Sequence, residues 1–462
     1  MGRKLRLGVA LLFSVLVSDV CALGPVGCGH YSRDVFDKDK SHLIHIPERC
    51  KEVRLAGHGG TVGDRVAELL DHPGSQGRFV DSLSLPSNSI DGKTGRRVVN
   101  ALRGRDSYFG GVQMHRLDLS DNDVRDEGAL GVGELLSHKN GKKLTHLDLR
   151  GNNIGREGIA AIAKGLTESG AAHLRHLNLA VNDMSDQGAV NLAAALASQK
   201  VHRDKGVRPL HCLHISANGL SGVGVEAILN AVCSGPTEVD RLDLGGNMAE
   251  LRGARAIAAC LQTVRTLRWL ELPHTNLEEE EGMVVAEAIR RAPRGNLTHL
   301  DLSFNKLNDE AAIELAGALQ DVNSRGGTIV ELNLRHNQIT DVGGKALDEA
   351  AEAVRDRVVR INIEGNAVSQ EWKDKIHDAA AKKVVSIPSP PAIPPSPSRR
   401  AAAAPATRKE PPPPATDIGA PQQANVPAAE GDEPAGYDVG YDADAESGDA
   451  YEYADEGTRD EL

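Results

Sequence analysis

Aromatic residues are scarce in this sequence: phenylalanine, tryptophan and tyrosine together make up 3% of its 462 residues. Any hydrophobic core must therefore be filled by leucine, isoleucine, valine and alanine. Long apolar runs are also lacking, because residues 7–17 form a run of 11 whereas a membrane span needs about 20. Basic residues do not cluster as nucleic-acid binding would require. We therefore expect neither a membrane-spanning segment nor a nucleic-acid partner.

The motifs of common catalytic sites are missing as well. The sequence has no nucleophile elbow, phosphate-binding glycine loop, zinc-protease helix or Cys-x-x-Cys pair. Acid–histidine pairs such as Asp148 with His146 occur, but no serine accompanies them in a triad order. We therefore expect no catalytic residue, no cofactor and no enzyme activity.

What the sequence has in abundance is a repeated strand-and-helix pattern. In residues 144–166, Leu147 and Leu149 alternate as in a strand, and Ile162 and Leu166 are four apart as in a helix. One such unit cannot bury its apolar side alone, so it predicts neighbouring copies. About eleven copies follow one another, and their apolar pairs begin at Val53, Leu83, Leu117, Leu147, Leu177, Leu213, Leu242, Leu270, Leu300, Leu332 and Ile361.

An asparagine follows most strands at the same distance, five residues after the first apolar residue of each pair. A buried asparagine there can satisfy the turning backbone of its own unit and of the next. Thr275 replaces it once, which predicts a distorted turn. The asparagines are Asn88, Asn122, Asn152, Asn182, Asn218, Asn247, Asn305, Asn337 and Asn366.

A glycine six residues after the asparagine, as at Gly158, completes the unit. The pattern resembles the ribonuclease-inhibitor type of leucine-rich repeat. The resemblance implies an α/β solenoid shaped as a horseshoe, with parallel strands on the concave face and helices on the convex face. Strands stack about 4.8 Å apart whereas helices need about 8–10 Å, so the helix side must fan outward. The predicted repeat domain is 53–383, with an N-terminal cap at 23–52.

Side chains that flank the central leucine of each strand point into the concave face, because side chains alternate along a strand. That face is polar, and we expect a protein partner to bind it; the alternative is a solvated face with no single partner site. The candidate partner-binding residues are Arg116, Asp118, His146, Asp148, His176, Asn178, Cys212, His214, Arg241, Asp243, Trp269, Glu271, His299 and Asp301.

For two groups of residues in that face, the sequence suggests a more specific role beside general partner binding. His146, His176, Cys212 and His214 lie on three successive predicted strands, so zinc coordination is an alternative to plain polar exposure, although we predict no metal site. Trp269 is either an interface anchor ringed by charge or a side chain packed against a neighbouring strand.

The N-terminus is typical of a secreted chain. Basic residues precede the apolar residues 7–17, and the small residues Val20 and Ala22 follow at the spacing of a cleavage site. We predict a cleaved signal peptide at 1–22; the alternatives are an uncleaved anchor and an apolar start with no targeting role. After cleavage we expect no membrane contact and a monomer.

The last four residues resemble the endoplasmic-reticulum retrieval signal, with arginine in place of the usual lysine or histidine. They are Arg459, Asp460, Glu461 and Leu462. A chance match in an acidic segment is the alternative. Together with the signal peptide, this ending favours residence in the endoplasmic-reticulum lumen.

An oxidising compartment permits disulfides, and we predict a bridge between Cys28 and Cys50, which bracket the cap. The five cysteines that follow the signal peptide leave at least one free thiol. Asn296 begins a glycosylation sequon at a predicted turn.

The composition changes abruptly after the repeats. Residues 384–427 are rich in proline and alanine and are predicted to be a disordered linker. Residues 428–462 hold 13 acidic residues against Arg459 alone, so this segment carries the net charge of −12. We interpret it as a disordered tail that could bind calcium weakly.

Three functions remain compatible with these features. The leading hypothesis is a non-enzymatic protein-binding scaffold of the secretory pathway. Ran GTPase-activating proteins also resemble this repeat type followed by an acidic tail, which would imply a cytosolic GTPase regulator. A secreted recognition protein is the third, and it requires the C-terminal ending to be inert.

Overall fold

The chain alternates strands and helices throughout the part that the structure, a computed structural model, describes. The described residues are 51–71, 80–104, 114–169, 173–198, 210–235, 237–292, 297–324, 329–353 and 360–376. The signal peptide, the Cys28–Cys50 bridge, the sequon residue Asn296, the linker, the acidic tail and the retrieval ending lie outside them. These remain predictions.

Eleven strands of three residues each are present in the described ranges. They are β1 Glu52–Arg54, β2 Ser82–Ser84, β3 Arg116–Asp118, β4 His146–Asp148, β5 His176–Asn178, β6 Cys212–His214, β7 Arg241–Asp243, β8 Trp269–Glu271, β9 His299–Asp301, β10 Glu331–Asn333 and β11 Arg360–Asn362. All pair in parallel, in sequence order, as one open sheet. The predicted solenoid of eleven units is confirmed.

A helix follows each of the first ten strands. These helices are α1 Thr61–Asp71, α2 Gly92–Gly104, α3 Arg125–Ser137, α4 Arg156–Ser169, α5 Ser185–Ala197, α6 Gly222–Ser234, α7 Glu250–Thr263, α8 Glu279–Arg291, α9 Asp309–Ser324 and α10 Asp341–Ala353. A further helix begins at Gln370. Within the described ranges, no helix combines the length and the apolar composition of a membrane span.

The register of the sheet aligns equivalent residues of successive units. Leu117 pairs with Leu147, and Leu147 pairs with Leu177. These central leucines are buried against the helices, and each stabilises the fold by about 1.5–3 kcal/mol. As the composition predicts, aliphatic side chains dominate the core, and no described aromatic side chain is fully buried there.

The asparagines form a continuous ladder through the turns. The Asn122 carboxamide donates to the Leu85 and Leu119 carbonyls at 2.9 and 2.8 Å, and its Oδ1 accepts the backbone N–H of Asn88 at 2.9 Å. Each asparagine thus joins its own turn to that of the preceding unit. Unpaired, such buried backbone groups would cost about 1–3 kcal/mol each. The predicted satisfaction of the turns is confirmed.

The turn at Thr275 is less distorted than the sequence predicts. The Thr275 hydroxyl donates to the Leu272 carbonyl at 2.8 Å, and its N–H donates to Oδ1 of Asn305 at 2.9 Å. His274 keeps the left-handed backbone that occupies the equivalent place in other turns, with φ of 56°. The Thr275 hydroxyl therefore makes one of the hydrogen bonds that an asparagine carboxamide makes in the other turns, and the backbone follows the same path.

Aspartates near the start of some helices bind the next unit, which the sequence did not reveal. Oδ1 of Asp126 accepts the N–H groups of Gly155 and Gly158, both at 2.8 Å. A side chain on Gly158 would collide with Asp126 and with Ile154, which is why glycine recurs there. One unit thus satisfies the free N–H groups at the start of the next unit's helix.

Two neighbouring helices approach each other with backbone against backbone. A Cβ on Gly133 of α3 would overlap the carbonyl of Ala161 in α4, and a Cβ on Gly165 would overlap the carbonyl of Gly133. Glycine at both positions therefore permits a helix separation that any side chain would prevent.

A disulfide joins two adjacent helices on the convex side. Cys233 of α6 is bonded to Cys260 of α7, with the two Cα atoms 5.3 Å apart. The sequence did not predict this pair. Cys212 of β6 is buried and is not part of this bond.

Candidate protein-binding face

The sheet presents two aligned columns of side chains on its concave face, one on either side of the central leucines. The outer column precedes the leucine and the inner column follows it. The register brings all fourteen predicted partner-binding residues into these columns along β3–β9. Most are half-buried, whereas Cys212 and Arg241 of the outer column are buried.

The inner column also has a structural task. Oδ1 of Asp118, Asp148 and Asp301 each accepts the backbone N–H two residues further on, at 2.8–3.0 Å. Asn178 and Asp243 do the same at 3.1 and 2.9 Å. These side chains close the turn after each strand. The Oδ2 atoms of the four aspartates accept further hydrogen bonds, from Ser84, Asn178, Ser216 and Asn333.

Crowding of carboxylates perturbs the N-terminal part of the inner column. Burial and the neighbouring charge of Asp118 raise the pKa of Asp148 to about 6. The Asn178 amide donates to Oδ2 of Asp148 at 3.1 Å and offsets part of this effect. Asp148 is therefore close to half-protonated in mildly acidic solution.

A buried ion pair lies at the middle of the face. Nη2 of Arg241 donates to Oε1 of Glu271 at 2.6 Å. Burial and the charge of Asp243 nevertheless raise the pKa of Glu271 to about 7. Burial opposes ionisation of Asp243 too, but hydrogen bonding and attraction from His214 hold the pKa of Asp243 below its usual value. The proton of this cluster therefore resides on Glu271 rather than on Asp243.

Trp269 is stacked within the outer column. Its ring lies parallel to the His299 ring at a centroid distance of 3.4 Å, and the Arg241 guanidinium lies 5.0 Å from its centroid on the preceding strand. Nε2 of His299 is 3.7 Å from a carboxylate oxygen of Glu331. Trp269 is thus packed by its neighbours and still half-exposed, so the two sequence alternatives, anchor and packing, are both compatible with its position.

The histidines considered for zinc are arranged differently from a metal site. His146 and His176 stack face to face with centroids 4.2 Å apart, and Cys212 is buried beside them. Across the described part of the chain, no three histidine, cysteine or acidic side chains are grouped to hold a metal ion. His146 and His176 therefore stack on each other in this structure.

A second stack of rings lies on the turns beside the face. The rings of His274 and Phe304 are 4.4 Å apart, and those of Phe304 and His336 are also 4.4 Å apart. Each residue stands immediately before the ladder position of its unit. The sequence signal for this stack is the common position of the three residues, directly before Thr275, Asn305 and Asn337.

Several of the repeats match a known family in sequence. Six segments match the family described as leucine-rich repeat: residues 114–133, 142–163, 170–193, 208–229, 296–316 and 328–347. Each contains one strand of the sheet and the start of the following helix. The protein is a leucine-rich-repeat solenoid.

One curated relative resembles part of this leucine-rich-repeat domain. The chain is 23% identical over 163 residues to RAN GTPase-activating protein 2 of Arabidopsis thaliana. The match covers 35% of this chain and 24% of the relative. The chain thus spans about a quarter of the relative that it matches.

Solved structures show distant likenesses. The tropomodulin C-terminal domain of Caenorhabditis elegans is 18% identical with a TM-score of 0.30, and the match covers 35% of this chain and 93% of that one. An internalin of Listeria monocytogenes is 12% identical with a TM-score of 0.38, covering 72% of this chain and 85% of that one. The repeat segments themselves, rather than these likenesses, identify the solenoid.

Proposed function

We propose that this protein is a non-enzymatic scaffold that binds a protein partner on the concave face of its leucine-rich repeats. The observation that carries the proposal is the alignment of fourteen polar or aromatic side chains in two columns along β3–β9. The face is formed by strands that are already hydrogen-bonded to each other, so a partner need not order it. Such preorganisation reduces the cost of binding.

Tryptophan is among the residue types that most often dominate binding energy at interfaces. Trp269 lies on β8, and its half-exposed ring is held by its stack with His299 and by the buried Arg241 beside it. A rigid aromatic ring loses little conformational freedom on binding. We therefore place the centre of the binding surface at β7–β9.

The proposed location is the endoplasmic-reticulum lumen. The signal-like residues 1–22 and the ending Arg459–Asp460–Glu461–Leu462 support it. The pairing of Cys233 with Cys260 also favours a compartment in which disulfides persist.

Localisation and partner capture test these proposals together. A tag placed inside residues 384–427 leaves Leu462 free, and we expect it to report a lumenal reticular distribution. Partners captured by wild-type protein should be depleted with Trp269→Ala and retained with Val342→Ala, an exposed change on α10. Equal capture by both variants would contradict the concave face as the binding surface.

A GTPase-activating regulator is the second candidate. Its specific support is the similarity to RAN GTPase-activating protein 2. It predicts a cytosolic tag and accelerated GTP hydrolysis by Ran when the purified repeats are added. This candidate is excluded if saturating protein leaves the rate of GTP hydrolysis unchanged and the tagged protein is found in the lumen. Recovery of the tagged protein in the medium supports a secreted recognition protein instead.

Weak calcium binding by the acidic tail is a subsidiary proposal. Its carboxylates provide the hard oxygen ligands that calcium prefers, without the spacing of an EF-hand. Calorimetry of residues 428–462 should show binding at millimolar calcium, and absence of heat there would end the idea.

A further inference from the structure

Basic side chains gather where the chain enters β3, β4 and β5. They belong to the residues that lead into each strand, outside the two columns of the concave face. We name this group the cationic edge, and its residues are His115, Lys142, Lys143, His173 and Arg175. The sequence spreads them over three successive units, so it is the fold that brings them together.

Backbone hydrogen bonds set the spacing along this edge. The N–H of Thr145 donates to the His115 carbonyl at 2.8 Å, and the N–H of Arg175 donates to the Thr145 carbonyl at 2.9 Å. His115 and Arg175 are therefore two strand steps apart, or about 10 Å. His115 is exposed and Arg175 is half-buried.

The two lysines lie on the turn that precedes β4. The N–H of Leu144 donates to the Gly141 carbonyl at 2.9 Å and closes this turn. A Cβ on Gly141 would overlap the Leu135 carbonyl, so the turn packs directly against the end of α3. Lys142 and Lys143 are both exposed. Their backbone is thus fixed by packing, while their ammonium groups remain accessible to a partner.

The charges of the edge act on one another. Burial is the main reason that the pKa of His173 is below its ordinary value, and the positive charges of Lys143, Arg175 and His115 lower it further. Among the ion pairs of the described residues, one reaches this edge: Oδ2 of Asp81 is 3.8 Å from Nδ1 of His115. Since residues 428–462 carry the net charge of the chain, a positive edge is a local departure from a nearly neutral repeat domain.

A short acidic segment complements this edge in charge and in length. Alternate residues of an extended segment lie about 6.7 Å apart on the same side, so two or three carboxylates span the edge. A nucleic acid or a membrane presents negative charge over a wider area, and it would also meet Asp118 and Asp148 on the same strands. A short segment can be confined to the edge and avoid this repulsion.

We propose that the cationic edge binds a short acidic segment of a protein partner, whose carboxylates pair with Lys142, Lys143 and Arg175. The edge is a docking site beside the concave columns, and it shares none of the fourteen strand residues. An exposed ion pair contributes about 0–1 kcal/mol, so the affinity comes from several pairs acting together.

The proposal is tested by the fluorescence anisotropy of a labelled hexaglutamate peptide titrated with the purified full chain. We expect saturable binding at about 0.05 M salt that weakens at least about tenfold at about 0.3 M, because salt screens exposed charges. Hexaglutamine is the uncharged counterpart and should not bind. Lys142→Glu combined with Lys143→Glu reverses two exposed charges and should weaken hexaglutamate binding at least about tenfold.

Lys164→Glu combined with Lys345→Glu is the matched control. Both lysines are exposed on convex helices, and their reversal changes the net charge of the chain by the same amount. Hexaglutamate binding should be retained. Arg175→Gln removes one charge of the edge and should weaken binding about threefold. Thermal melting verifies that each variant is folded.

Failure of hexaglutamate to bind at low salt would overturn the proposal, as would an equal loss of binding in the edge variant and the control. Tighter binding of a single-stranded oligonucleotide or of anionic vesicles would overturn it as well. Trp269→Ala should leave the peptide bound. Loss with Trp269→Ala but not with the Lys142 and Lys143 double change would place the peptide on the concave columns and refute the edge alone.

Discussion

The indole ring of Trp269 lies flat on the imidazole ring of His299, with centroids 3.4 Å apart and planes 7° from parallel. Burial is the main reason that the pKa of His299 is below its ordinary value. Trp269→Ala uncovers this imidazole, so we expect the pKa of His299 to rise. Titration of the ring by NMR measures it, and an unchanged pKa would contradict the stack. Loss of the ring pair should also lower stability by about 1 kcal/mol.

The buried pair of Arg241 and Glu271 predicts a pH-dependent stability. The folded pKa of Glu271, about 7, lies above its ordinary value of 4.5, so folding favours the protonated acid. Its contribution is therefore greatest below pH 4.5 and is lost as the pH rises through 7. Glu271→Gln mimics the protonated form and should raise the melting temperature at pH 8 by about 2–5 °C relative to wild type.

The difference between Glu271→Gln and wild type should shrink as the pH falls towards 5, because the wild-type carboxyl then carries its proton. A difference that is constant from pH 5 to pH 8 would show that the Glu271 pKa is not raised.

The asparagine ladder predicts a large loss of stability on truncation. Asn152 donates to the carbonyls of Leu119 and Leu149 and to that of Arg150, at 2.9–3.0 Å. Asn152→Ala removes these bonds in a buried site and should lower the free energy of unfolding by about 3–5 kcal/mol. Denaturant unfolding measures it. Gln338→Ala, on an exposed turn position, is the control and should change the free energy by less than about 0.5 kcal/mol.

The bond between Cys233 and Cys260 closes a segment of 27 residues. A loop of that length predicts a stabilisation of about 3 kcal/mol through restriction of the unfolded chain. The double change Cys233→Ser with Cys260→Ser should lower the melting temperature in non-reducing buffer. Peptide mapping after alkylation provides the independent check, and labelling of both cysteines without reductant would show that the bond is absent.

Much of the architecture was predictable because two features of the repeat specify it independently. One is the alternation of apolar residues along each strand, and the other is the asparagine that hydrogen-bonds the backbone of each turn. Leu147 could be aligned with Leu177 from spacing alone, and the register then placed His146 beside His176 and Asp148 beside Asn178. The same alignment predicted which residues share the concave face. Its use as a binding surface remains a proposal, since periodicity describes position and not a partner.

Other features could not be predicted from the repeat pattern, because they depend on the direction in which a side chain points within its unit. Cys233 lies nine residues after Gly224 whereas Cys260 lies seven after Gly253, so repeat alignment does not pair them. Their contact follows from the facing sides of two adjacent helices. The hydrogen bonds of Asp126 to the next unit were not predicted for a related reason. An aspartate in the first turn of a helix is expected to stabilise the N-terminus of its own helix.

The glycine contact between α3 and α4 has a consequence for the opposite side of the solenoid. Because helices need a wider spacing than strands, the solenoid bends, and two helices that lie this close should reduce the local curvature at β3 and β4. Gly133→Ala would push the two helices apart and should increase that curvature. The concave face would change shape there although none of its own residues is substituted.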